Sequence, residues 1–259
     1  MYVRLYVGAR SIPADCPQQI FIIASCHSES FGSIRSARPS CALGQTTNIA
    51  YYPASPLRCK PRASRRCEFT MRLLNTSTGV FEEFIGTNIP AYAILSHTWG
   101  DEEVSFKDMT TKPTNRSKKG YTKISMTCRL AQADELQYAC IDTCCIDKSS
   151  SAELSEAINS MYRWYQSAEK CYAYLADLES TTQWRQNLPR CRWFTRGWTL
   201  QELIAPEEVY FFDEDWNRVF RKSDKIDILA LITGVDKNVL RGSRSVLSVS
   251  VAQRMSWAS

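Results

Sequence analysis

Residues 138–165, YACIDTCCIDKSSSAELSEAINSMYRWY, change their hydrophobic rhythm partway along. The run 138–141 is short and apolar, which predicts a buried strand ending at Asp142. Ser150 and Glu153 then form an S-x-x-E capping box, the arrangement that satisfies the free backbone donors of a starting helix. Behind it Leu154, Ile158, Met161, Tyr162 and Tyr165 recur at helical spacing, so one face of that helix is expected to be buried. The order is therefore strand, polar loop, amphipathic helix.

The same alternation extends on both sides. Residues 92–95 predict a buried strand that ends at Ser96-His97 and enters the polar loop 98–103, where Gly100 gives the backbone freedom. Residues 121–136 carry Ile124, Cys128, Ala131 and Leu136 at roughly helical spacing. Residues 171–175 and 209–212 read as further strands, with a helix at 198–204 between them. Segments 225–232 and 250–255 also look helical. Strands alternating with helices imply an α/β fold, a parallel sheet with helices on both faces.

The charge is unevenly distributed over the 259 residues. Nine Lys/Arg and three Asp/Glu precede Met71, a net +6, whereas from Met71 onward 23 basic residues meet 24 acidic ones, a net −1. All seven Trp follow Met71. Residues 1–70 are aperiodic and rich in Pro, Ser and Arg, so they are expected to be a disordered extension or sequence foreign to the domain, which occupies 71–259. Near-neutrality of 71–259 argues against a nucleic-acid or anionic-membrane surface. No apolar run approaches the roughly 18 residues needed to span a bilayer. Eleven Cys without a convincing signal peptide fit reduced thiols in the cytoplasm.

In an open parallel sheet, ligands bind beyond the carboxyl ends of the strands. Three unusual polar clusters are predicted to fall there: Ser96, His97 and Trp99 after one strand, Asp142 after the next, and Arg196 to Glu202 further on. The last lies in RWFTRGWTLQELIAP, residues 192–206, where Leu200, Leu203 and Ile204 mark a buried helix face and Pro206 stops the run. Glu202 sits inside that apolar pattern, either paired with Arg192 or Arg196 or held for chemistry. His97 beside Cys144 or Cys145 would suit a thiol hydrolase. The set Cys140, Cys144, Cys145 and His97 matches no common zinc spacing, and no metal is expected.

AYAILSHTWGDEE (91–103), the 138–165 stretch and RWFTRGWTLQELIAP, in this order, closely resemble the fungal heterokaryon-incompatibility (HET) domain. So do the opening MRLLNTSTGVFEEF at Met71 and the closing SVAQRMSWAS at 250–259. Cys140 stands where HET domains often place Trp. The resemblance implies a cell-death effector in non-self recognition, driven by self-association or by an NLR-type sensor. Members generally continue past the point where this chain stops, which leads us to expect a truncated C-terminus.

The layout also resembles the Toll/interleukin-receptor (TIR) domain, itself flavodoxin-like. Residues 96–102 resemble its first polar loop, residues 142–156 its acidic loop and helix, and Trp198-Thr-Leu-Gln-Glu202-Leu203 the string that carries the catalytic Glu of NAD-cleaving members. Thr199 stands where that string usually has Cys. This resemblance implies NAD as a substrate rather than a bound cofactor, Glu202 as the catalytic carboxylate, and Ser96, His97, Trp99, Asp142, Arg196 and Trp198 as substrate-binding residues. A non-enzymatic death-fold signalling module is the alternative. The chemistry suits a lone Glu, because nicotinamide leaves as a neutral group and needs no general acid, while one carboxylate can stabilise the oxocarbenium-like ribose.

Overall fold

The computed structural model describes residues 70–86, 88–111 and 117–257, so the expected N-terminal extension lies outside the described residues except at Thr70. The strands are β1 Thr70–Asn75, β2 Phe81–Ile85, β3 Tyr92–His97, β4 Tyr138–Cys140, β5 Lys170–Tyr174, β6 Val209–Phe212 and β7 Arg218–Arg221. They form one sheet in the order β2-β1-β4-β3-β5-β6-β7. The helices are α1 Phe106–Thr111, α2 Gly120–Ala133, α3 Asp142–Cys145, α4 Ser151–Ser167, α5 Trp184–Asn187, α6 Thr199–Ile204, α7 Ile226–Thr233, α8 Lys237–Leu240 and α9 Val251–Trp257.

The four central strands β4, β3, β5 and β6 are parallel, as the alternating pattern requires. Numbered along the chain from β3, they stand in the spatial order two-one-three-four, the beginning of the flavodoxin-like arrangement. Around this expected parallel core the sheet is mixed. β1, β2 and β7 are antiparallel to their neighbours. For β1–β2 and β6–β7 the cause is loop length, since a short turn can join only antiparallel strands whereas a parallel pair needs a crossover of a dozen residues or more. β1 also meets β4 antiparallel, with no turn joining the two. In the β1–β2 turn Asn75 Oδ1 accepts from the Ser77 and Thr78 amides at 3.1 Å each, and Gly79 takes a φ of 68° that a side chain would resist.

Side chains alternate across a strand, so consecutive residues of β3 face opposite layers. Tyr92 donates its hydroxyl to the Trp164 carbonyl of α4 at 2.5 Å, and Ser96 shares that face. His97 points to the other face, where α2 packs. Helices therefore cover both sides of β3.

The capping box forms in half. Ser150 Oγ accepts from the Glu153 amide at 3.3 Å, but the Glu153 carboxylate accepts from the Asp147 amide at 2.8 Å and from Arg72 of β1 at 2.7 Å. That diversion ties the antiparallel edge to α4. The buried stripe of α4 is Ala157, Ser160, Trp164 and Tyr165. Ile158, expected inside, is 39% exposed, because the helix is turned so that the stripe follows 157 rather than 158. Trp193, Tyr172, Phe211 and Leu95 lie among the fully buried side chains of the core. Each such side chain contributes on the order of 2–3 kcal/mol by leaving water.

Candidate functional site

β3 is where the winding reverses: the chain leaves it through α2 to β4 on one side and reaches β5 on the other. Neighbouring loops diverge at such a point and leave a crevice beyond the strand ends. A cleft of about 530 Å³ opens there, lined by Trp99, Glu103, Lys123, Tyr174, Arg192 and Trp216 among others. Two side-chain clusters lie at this end of the sheet, one on each face.

The first belongs to the α4/α6 face. Ser96 Oγ receives the Trp193 indole hydrogen at 2.7 Å and donates its own to Glu202 Oε2 at 2.5 Å. Arg196 meets the same carboxylate with both terminal nitrogens, Nη1 to Oε2 and Nη2 to Oε1, each at 3.2 Å. Such a two-pronged contact is among the stronger ion-pair geometries. Glu202 is 5% exposed, and it is Arg196 rather than Arg192 that pairs with it. Burial works to lower the Arg196 guanidinium, and the Glu202 charge more than offsets this, so its pKa stands above the ordinary value. Burial, reinforced by Glu202, raises the Tyr165 phenol well above its usual range.

The second cluster belongs to the α2 face. His97 Nε2 lies 3.1 Å from Asp142 Oδ1, and Lys123 Nζ lies 3.1 Å from His97 Nδ1. An ammonium can only donate, so Nδ1 accepts and Nε2 carries the hydrogen given to Asp142. The Trp99 indole donates to the other oxygen of Asp142 at 2.9 Å, and Lys148 sits 3.5 Å above the Trp99 ring. Lys123 also donates to the Thr98 carbonyl at 3.0 Å and to Glu103, whose Oε1 accepts from the Gly100 amide at 2.8 Å. Burial would raise the Asp142 carboxyl, but the His97 hydrogen bond and the charges of Lys148 and Arg196 outweigh it and bring the pKa down to about 2. Burial lowers the Lys148 ammonium, against the opposing pull of Asp142 and Glu103.

The structure thus joins Ser96, Arg196 and Glu202 in one cluster and His97, Trp99 and Asp142 in the other. Arg196 is close enough to Asp142 for its charge to be felt there. Of these residues Trp99, 48% exposed, lines the cleft, whereas Ser96, His97, Asp142, Arg196 and Glu202 are not among its lining residues. Trp198 stands at the N-terminal boundary of α6, half-buried. Both ring nitrogens of His97 are engaged as above, while Cys144 Sγ contacts the Ile141 carbonyl and Cys145 Sγ the Ile141 amide, so His97 activates neither thiol in this arrangement. Among the described residues no group of three His, Cys, Asp or Glu is placed to hold a metal ion.

Lys123 and Trp193 were not expected as partners in the site. Lys123 had a readable signal, since it is a cation within the stripe Gly120, Ile124, Thr127 and Ala131 that α2 buries. Trp193 had none, because a Trp in an apolar segment is ordinarily core, and its indole hydrogen found Ser96 only through tertiary packing.

A flavodoxin-ordered α/β domain with a polar switch-point cleft defines the class. Residues 92–183 match the family described as Heterokaryon incompatibility protein (HET), and the chain carries a HET domain. It is also 47% identical over 178 residues to "Vegetative incompatibility protein HET-E-1" of Podospora anserina. That alignment covers 65% of this chain but only 13% of the relative's length. No solved structure matches the chain. The matched family region contains Ser96, His97, Trp99 and Asp142, whereas Arg196, Trp198 and Glu202 lie beyond it. No helix among the described residues is long and apolar enough to cross a membrane.

Proposed function

We propose that this chain is a fungal effector domain of heterokaryon (vegetative) incompatibility that kills by cleaving NAD bound at the switch-point cleft. It works in the cytoplasm and is driven by self-association or by an NLR-type sensor partner. The HET domain and the incompatibility relative support the biological setting. The observation that carries the chemistry is the buried carboxylate of Glu202, held by Ser96 and Arg196 at the same end of the sheet as a cleft that offers an exposed indole, cations and carboxylates.

In this reading the ribose–nicotinamide bond breaks with its electron pair going to the pyridine nitrogen, so nicotinamide leaves neutral. Water adds to the ribose carbon and gives up a proton, yielding ADP-ribose. Glu202 stabilises the positive charge that builds on the ribose, a contribution of several kcal/mol in a water-poor site. Trp99 stacks on a ring of the substrate. A substrate phosphate competes for Arg196, and that competition frees the carboxylate for the ribose.

A second reading is favoured by a specific observation. Both Glu202 oxygens are already satisfied, and its side chain is 6% exposed, as expected of a structural ion pair in a non-enzymatic death-fold module. Glu202→Gln separates the two, because it keeps shape and removes charge. On the enzyme reading the variant folds, no longer depletes NAD in expressing cells and no longer kills them. If it folds and still kills, with NAD unchanged for both proteins, the module reading stands and cleavage is refuted.

A further inference from the structure

The turn between β6 and β7 puts a large side chain where the backbone resists one. Trp216 has a φ of 64°, in the left-handed region that Gly and Asn tolerate and bulky residues disfavour. Asp213 holds the turn, its Oδ1 accepting from the Asp215 amide at 3.1 Å and the Asn217 amide at 2.9 Å. Trp216 is 8% exposed, and its ring stacks on Tyr174 with centroids 4.1 Å apart and planes within 8°. Tyr174 is fixed in turn by donating its hydroxyl to the Glu214 carbonyl at 3.0 Å. Both rings line the same cleft as Trp99, Lys123 and Arg192.

We propose that the Tyr174–Trp216 pair is the ring-binding wall of this cleft, the half-buried Tyr174 taking the heteroaromatic ring of a nucleotide by stacking, with the buried Trp216 holding it in place, while Arg192 faces the phosphates. A strained backbone that persists in a folded protein is over-determined by its surroundings, and such positions cluster at ligand clamps. Here the strain fixes the Trp216 ring behind Tyr174, beside a cleft lined by Lys119, Lys123 and Arg192 and by the carboxylates of Asp101, Glu102, Glu103 and Asp177. Stacking needs only a π-face and costs little ordering when the partner ring is fixed. This inference rests on the cleft being a nucleotide site and is independent of whether Glu202 cleaves anything.

The test uses the full chain with AMP as the ring-bearing probe and ribose 5-phosphate as the ringless control, both by titration calorimetry. Trp216→Gly and Trp216→Asn remove the ring while placing residues that accept the left-handed turn, and the thermal midpoint checks folding. The expected result is a loss of AMP affinity of about tenfold or more in both variants, with ribose 5-phosphate binding unchanged. In the wild-type chain, which needs no variant to fold, the adenine proton resonances of AMP should move upfield on binding. Absence of AMP binding, AMP binding without that upfield movement, or AMP affinity within twofold of wild type in a folded variant overturns the proposal. NAD consumption is assayed separately: if AMP binds through Trp216 while NAD is untouched, the wall stands and the cleavage reading falls.

Discussion

Replacing Arg196 by Met should destabilise the domain more than any other change at the site. The variant leaves Glu202 with the Ser96 hydroxyl at 2.5 Å but strips two guanidinium contacts at 3.2 Å from a carboxylate that is 6% exposed. Removing one member of a fully buried pair costs about 3–5 kcal/mol, because the survivor keeps its desolvation without its counter-charge. Arg196 is itself 23% exposed, so water can enter from its side, and the expected cost falls to about 2–4 kcal/mol. For a domain of this size that lowers the melting midpoint by about 5–15 °C. Urea unfolding followed by tryptophan fluorescence measures it directly. The double variant Arg196→Met with Glu202→Leu should recover most of the loss, since two apolar residues can replace a buried pair at little cost. An Arg196→Met protein within about 0.5 kcal/mol of wild type would refute the reasoning, for it would mean that Glu202 is solvated and the pair contributes only as a surface one does.

Three further outcomes are expected. Asp142 has a folded pKa of about 2, below the roughly 3.9 of an unfolded Asp, so its contribution of about 2 kcal/mol is complete above about pH 4 and lost as pH falls through 2. The stability gap between wild type and Asp142→Asn should therefore narrow on acidification, and a gap that stays constant from pH 7 to pH 2.5 would count against it. Gly120→Ala should cost about 1–3 kcal/mol in urea unfolding despite better helix propensity, because its Cβ would lie 2.7 Å from the Glu102 carbonyl oxygen and 2.8 Å from the Glu103 Cα, both backbone atoms. A chain beginning at Met71 should melt at the same temperature as the full chain, since composition alone separates residues 1–70 from the domain; a large drop would place the boundary earlier.

The parts of this protein written locally were legible in its sequence. The apolar runs gave the central strands, the S-x-x-E pattern gave the start of α4, and the polar residues following the runs put Ser96, His97 and Asp142 at strand ends. Each signal spans a few residues and depends on periodicity or on a turn's own hydrogen bonds, so no distant partner is needed to read it. The resemblance to HET domains was likewise carried by strings short enough to see in one chain.

Tertiary structure decided the rest. Arg192 and Arg196 were equal candidates for Glu202, because neither stands at helical spacing from it and the choice depends on how residues 192–195, a 3₁₀ turn, meet α6. Packing gave Arg196 to the carboxylate and left Arg192 at the cleft, its amide on Asp177 at 2.8 Å. The alternation of β3 sent Ser96 and His97, adjacent in sequence, to opposite faces, so one polar string became two clusters with different partners. Trp216 carried no signal, because its place against Tyr174 follows from a left-handed turn that its residue type disfavours and that only the pairing of β6 with β7 imposes. Sequence fixes what neighbours along the chain can settle among themselves, whereas pair choice, face and stacking belong to groups that meet only once the sheet has closed.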